Sequence, residues 1–197
     1  MKHQTIVFIG ISGAGKGTQA NLLEEYFQSK DDTRVCHIET GNLFREFLKK
    51  DTYTGYLSKK ISESGGLQPD FLATWLWGGS LLESVSKEGE HLIIDGTPRR
   101  VSEAYMLLSA FNFLKRKNIV VIYLSVSEKE ALVRLKKRKR SDDLDFDGVM
   151  NRFSWFAKEV LPTLDVFKKN IDIKVHDING ERSIEEIHSE IISLLKE

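Results

Sequence analysis

The chain has 197 residues, 41% of them hydrophobic, enough to bury one substantial core, so a single globular domain is expected. Lys and Arg total 29 and so do Asp and Glu; the net charge of zero leaves no global field to steer the chain toward nucleic acid or an anionic membrane. The one cysteine, Cys36, excludes an internal disulfide and a cysteine-based zinc site and is expected as a buried structural thiol. The N-terminus lacks the charged, apolar and cleavage regions of a leader, and no stretch approaches the ~18 apolar residues of a membrane span, which points to the cytoplasm.

Taken in chain order, the first element is the β-rich run TIVFI, Thr5 to Ile9. It leads straight into GISGAGKGTQA, Gly10 to Ala20, and a helix that TQANLLEEYF continues. A second run, RVCHI, precedes an insertion from Thr40 to Asp70 that holds short helical segments and ends in SGGLQPD. Then come HLIID, NIVVIYLSV, a charged loop read from Lys136 to Gly148, and IDIKVHDI. Apolar spacing of three and four residues marks helices between these runs. The runs lack strict alternation, as strands covered on both faces do, so the pattern predicts an α/β fold: a doubly wound, five-stranded parallel sheet between helices.

The glycine-rich stretch satisfies GxxxxGK through Gly10, Gly15 and Lys16, at a strand-to-helix junction. Glycines let successive backbone N–H groups turn inward, the helix N-terminus adds partial positive charge, and Lys16 supplies a point charge for terminal phosphates. Gly13, Ala14, Gly15, Lys16, Gly17 and Thr18 are therefore expected to bind the phosphates of a nucleotide. Gly17, rather than Ser or Thr, follows the lysine, which leaves the magnesium ligand open. Asp95, delivered by HLIID to the carboxyl edge of the sheet, is the candidate to position Mg2+, directly or through water; the alternative is a turn or N-cap aspartate.

With these residues in place the chain resembles the adenylate kinase family of nucleoside monophosphate kinases. GISGAGKGTQA, TGNLFR, GGLQPD, DGTPR, RSDD and RFSWFAKEVLPTLDVF occur in that family's order and together cover nearly the whole chain. The resemblance implies reversible phosphoryl transfer from Mg-ATP to a nucleoside monophosphate, most simply AMP, by a P-loop enzyme expected to be monomeric. It divides a single domain, 1–197, into a core of 1–39, 71–135 and 153–197, an acceptor-binding insertion of 40–70 and a short lid of 136–152. Thr40, Gly41, Arg45, Gly96 and Arg99 match the acceptor site, with Arg45 and Arg99 on the acceptor phosphate. Arg134, Arg138, Arg140 and Arg152 match the arginines of the lid and its flanks: Arg134 and Arg138 by the donor, Arg140 and Arg152, with Lys16 and Arg99, on the transferring group. Asp142 and Asp143 match paired lid aspartates, and the lid resembles the family's short form without zinc. Nucleic acid and membranes are not among the implied partners.

Without the family, RLKKRKR from Arg134 to Arg140 reads as a solvated helix end or a nucleic-acid patch, and for Lys136, Lys137 and Lys139 the solvated reading is preferred. Trp75, Trp77 and Trp155 are expected to pack within helices, and none of the five histidines falls in a chemical constellation. Ser12 replaces proline, Asn42 aspartate, Gln68 an aliphatic residue and Thr97 an aromatic one. Glu103 stands where the family places a glutamine that reads adenine. An ionised glutamate only accepts hydrogen bonds, which favours guanine; a protonated one, an intervening water or a helix-face pair with Arg99 leaves adenine in place. A nucleotide-binding module without turnover is the rival reading, and the number of arginines argues against it.

Overall fold

The computed structural model describes residues 3–30, 32–86, 89–138, 140, 143 and 145–196. Five parallel strands form one sheet in the order β2-β3-β1-β4-β5. They are β1 (Thr5–Ile9), β2 (Val35–Glu39), β3 (His91–Asp95), β4 (Ile119–Ser125) and β5 (Ile173–Asn179). The register sets Val7 beside Ile94 and Val121, and Phe8 beside Asp95 and Ile122. β1 and β3 are buried along their whole length, as an uninterrupted apolar run requires, whereas β5, at the edge, has exposed residues at Lys174, Asp177 and Asn179.

Helices α1 (Lys16–Lys30) and α9 (Ile184–Leu194) pack together on one face. On the other face lie α4 (Asp70–Ser84), α5 (Val101–Phe113) and α8 (Leu161–Lys168), as right-handed crossovers demand. Phe27 and Leu23 fill the first layer; Leu107, Phe111 and Phe167 fill the second. Cys36 is 3% exposed, as expected of a structural thiol. The capping box at Ser183 and Glu186 starts α9, and Thr52 and Asp145 cap α3 (Tyr53–Glu63) and α7 (Phe146–Trp155).

The 40–70 segment does hold short helices, α2 (Thr40–Phe47) and α3. The charged loop is shorter than the sequence suggests: α6 (Glu128–Arg138) extends through Lys136 and Lys137, and α7 already includes Phe146 and Gly148. Acidic residues in the first turn of α6 and basic ones in its last complement the helix dipole, which accounts for the extension. A π-helical turn, Phe156–Val160, joins α7 to α8.

Candidate active site

The loop after β1 turns at Gly13, whose φ of +90° and whose missing side chain are both required: a Cβ there would stand 2.7 Å from the Ala131 carbonyl oxygen. Lys16 opens α1, and its ammonium group donates to the carbonyls of Gly10 at 2.8 Å and Ile11 at 3.1 Å. This back-folding places the charge over the loop. Desolvation pulls the Lys16 pKa down to about 8, partly opposed by Asp95. Asp95 ends β3 and is buried; desolvation raises its pKa, against the pull of Lys16. Its Oδ2 lies 3.3 Å from where a Gly17 side chain would begin, so a Ser or Thr at 17 would crowd the carboxylate.

Across the cleft, Gly96, Thr40, Gly41 and Arg99 meet: the Cβ position of Gly96 is 3.5 Å from the Gly41 nitrogen and 3.8 Å from an Arg99 terminal nitrogen. Arg99 donates through Nε to the Gly96 carbonyl at 2.9 Å, and its guanidinium lies 5.5 Å from the centre of the Trp155 ring. Arg45 donates to Glu39 at 2.7 Å, and Thr40 Oγ1 is buried with no hydrogen-bond partner. Gln68, which stands where the resembled family commonly has an aliphatic residue, is satisfied at both ends: Oε1 accepts from Ser58 Oγ at 2.8 Å and Nε2 donates to the Ser58 carbonyl at 2.9 Å. It ties α3 to the entrance of α4.

Four arginines reach the cleft from the other side. Arg134 pairs with Glu130 at 2.8 Å on α6, yet its NH1 lies 3.9 Å from the Cβ position of Gly15. Arg138 grips Asp143 with two hydrogen bonds, of 2.8 and 2.9 Å, and Arg152 reaches the same carboxylate at 3.1 Å. The Asp143 side chain is 1% exposed. One buried carboxylate therefore aims two guanidiniums from different helices. Arg140 also lines the cleft, while Lys139 and Asp142 lie outside the described residues.

Most of these groups border one cleft of about 1260 Å3. Its wall contains Gly13 to Thr18, Gly41, Arg45, Asp95, Gly96, Arg99, Arg134, Arg138, Arg140 and Arg152. Two expected residues are not on that wall. Thr40 is buried beside it. Glu103 is 1% exposed, with Oε2 accepting from Thr97 Oγ1 at 2.5 Å, and burial raises its pKa. Its carboxylate therefore points into the core, not along an exposed helix face. Trp75 corrects another expectation: it is 59% exposed. Trp155 bonds the Gly65 carbonyl through its indole N–H at 2.9 Å and supports Arg99, a role that its place in an apolar helix stripe did not suggest. The sequence reading also missed Arg182 and Ser183, which border the cleft beside the phosphate loop; the only signal was a polar cluster at a strand-to-helix turn.

Among the described residues, no group of three or more His, Cys, Asp and Glu side chains could hold a metal ion. Magnesium bound with a nucleotide needs less, since phosphates and water supply most of its oxygens. The donor set fits: Asp95 offers a buried Oδ1 that has no hydrogen-bond partner, at the mouth of the phosphate loop.

A parallel sheet with a phosphate loop at its switch point, and a ring of arginines facing that loop, defines a P-loop phosphotransferase. The family model described as adenylate kinase matches residues 8–172. The chain is similar to the adenylate kinase of Oenococcus oeni, 33% identical over 92% of this chain and 93% of that protein. It is also similar to that of a Mycobacterium species (strain MCS), 35% identical over 96% and 98%. The chain belongs to the adenylate kinase family, the ATP-dependent nucleoside monophosphate kinases.

Proposed function

We propose that the protein transfers the terminal phosphoryl group of Mg-ATP to AMP, reversibly. The observation that supports this most is the convergence of Arg45 and Arg99 from one side, and Arg138, Arg140 and Arg152 from the other, on the cleft that Lys16 enters. In this reading the loop N–H groups and Lys16 hold the donor phosphates, with Arg134 and Arg182 flanking them. Arg45 and Arg99 hold the acceptor phosphate with their guanidinium forks, leaving the attacking oxygen in line. Arg138, Arg140 and Arg152 neutralise charge that spreads over the transferring group, and Asp143 positions two of them. Asp95 would hold magnesium directly or through water; bound there with ATP, the ion offsets the charge of the donor phosphates. The 40–70 segment serves the acceptor and 136–152 closes over the donor, excluding water.

The support for adenine as the acceptor base is the likeness to relatives described as adenylate kinase. Glu103 is buried off the cleft wall and bonded to Thr97, so its departure from glutamine does not count against AMP. The test is initial rates from Mg-ATP to AMP, GMP, CMP, UMP and dTMP in parallel, with the diphosphates read directly. AMP is expected to dominate. A different dominant acceptor overturns the choice of base, and no turnover with any acceptor overturns the kinase reading.

A further inference from the structure

We infer that Trp155 is a positioning residue for the acceptor phosphate: it ties the grip of Arg99 to the docking of the Ser64–Gly65 turn. This role rests on the proposed place of Arg99 at that phosphate and goes beyond it, because it makes one part of the acceptor site conditional on another.

A single face of α7 carries the contacts. Gly148, Asn151, Arg152 and Trp155 are spaced i, i+3, i+4 and i+7, which brings them onto one side of the helix. Three of them hold the turn that follows α3. A Cβ on Gly65 would stand 2.1 Å from the Gly148 carbonyl oxygen, Asn151 Nδ2 donates to the Ser64 carbonyl at 2.9 Å, and the Trp155 indole N–H donates to the Gly65 carbonyl at 2.9 Å. The fourth, Arg152, reaches Asp143 at 3.1 Å, so the face that holds the turn also carries an arginine of the cleft.

The same indole underlies Arg99. Arg99 Nε is committed to the Gly96 carbonyl at 2.9 Å, and the guanidinium carbon lies 5.5 Å from the ring centre. A planar cation over a planar ring takes its tilt from that ring. Close packing does not fix the tilt of the ring itself. Trp155 is only partly buried, and with Phe156, Val160, Pro98 and Arg99 it lines a small second cavity of about 40 Å3, room for one water molecule or for the ring to tilt. The backbone also changes form just past it, where the π-helical turn Phe156–Val160 begins. A ring with space beside it keeps its angle through its hydrogen bond, and the acceptor of that bond belongs to the turn. When the turn leaves α7, the indole loses Gly65 and Arg99 loses a fixed ring beneath it. Tryptophan suits the link because it offers an N–H donor at its edge and a wide π face; phenylalanine keeps the face and loses the donor.

The experiment is steady-state kinetics with acceptor and ATP varied in turn, on the wild type, Trp155→Phe, Trp155→Leu and Asn151→Ala. The acceptor is the monophosphate that the wild type phosphorylates fastest, so the identity of the base does not enter. Trp155→Phe should raise KM for the acceptor about three- to tenfold, through one lost hydrogen bond, and leave KM for ATP within about twofold. Trp155→Leu loses the ring as well and should raise acceptor KM about three- to tenfold further. Asn151→Ala loosens the turn without altering the indole and should move acceptor KM in the same direction. A purely structural role would lower the thermal midpoint and the active fraction, and hence the apparent kcat, but neither KM. Equal rises in both KM values, or no rise in that for the acceptor, overturn the proposal, and so does an Asn151→Ala variant with unchanged acceptor KM. A wild type that phosphorylates no monophosphate overturns the kinase reading itself, an outcome seen before any variant is compared.

Discussion

Replacing Asp143 with alanine removes the group that holds two cleft arginines at once. Its carboxylate accepts two hydrogen bonds from Arg138 and one from Arg152, and the side chain is 1% exposed. A hydrogen bond to a charged partner contributes about 1.5–3 kcal/mol where it is shielded. Arg152, 12% exposed, keeps most of that; Arg138, 35% exposed, is screened to well under it. The loss of positioning is therefore about 2–3 kcal/mol, and because the proposed function sets these arginines on the transferring group, it should appear in kcat as a roughly 100-fold fall. Asp143→Asn keeps an acceptor for one arginine and should lose about tenfold. The assay is steady-state transfer to AMP with the thermal midpoint measured on the same samples. An unchanged kcat in Asp143→Ala, or a fall that merely follows the fraction unfolded at the assay temperature, would refute the reasoning.

Lys16→Met should abolish transfer, a fall of about 1000-fold or more, with the fold retained by circular dichroism. In the wild type, Lys16 loses its proton above about pH 8, so kcat/KM for ATP should fall tenfold per pH unit beyond it. Unfolded lysine holds its proton up to about 10.5, so the unfolded state binds more protons between these values and Lys16 favours folding as pH rises. A thermal melt at each pH thus distinguishes lost charge from lost structure. Glu103, buried off the cleft wall and held by Thr97, should not select the base: Glu103→Gln should leave the AMP-to-GMP rate ratio within about twofold, and a ratio shifted about tenfold or more would put the residue at the base after all. Gly65→Ala should destabilise the cleft wall by about 2 kcal/mol or more, because a Cβ there would stand 2.1 Å from the Gly148 carbonyl oxygen at a φ of +66°. The midpoint of chemical denaturation measures it.

The sheet was legible because each strand is a short apolar run between polar turns, and the phosphate loop because a fixed spacing of glycines and lysine follows one of them. Long-range pairing was not legible. Nothing local in RSDD says that Asp143 aims Arg152, nine residues on, or that Gly65 must lie against α7. The loop from Lys136 was overextended because charge was read as solvation, where it also favours a helix C-terminus. Residue type alone puts Trp75 in the packing, yet the residue is 59% exposed and its ring meets the edge of α2 at Phe47. Register with the family sets Glu103 at the base, whereas burial and the bond from Thr97 decide its environment.

The junction of Gly65 with Trp155 gives the protein an internal optical reporter. The indole N–H is hydrogen-bonded to the end of one segment that borders the cleft, and the ring underlies Arg99, which lines the cleft. Any movement of the 40–70 segment relative to α7 must stretch that bond, and any rearrangement of Arg99 changes the field over the ring. Emission from Trp155, isolated by replacing Trp75 and Trp77 with phenylalanine, would therefore track both movements in solution without an attached dye.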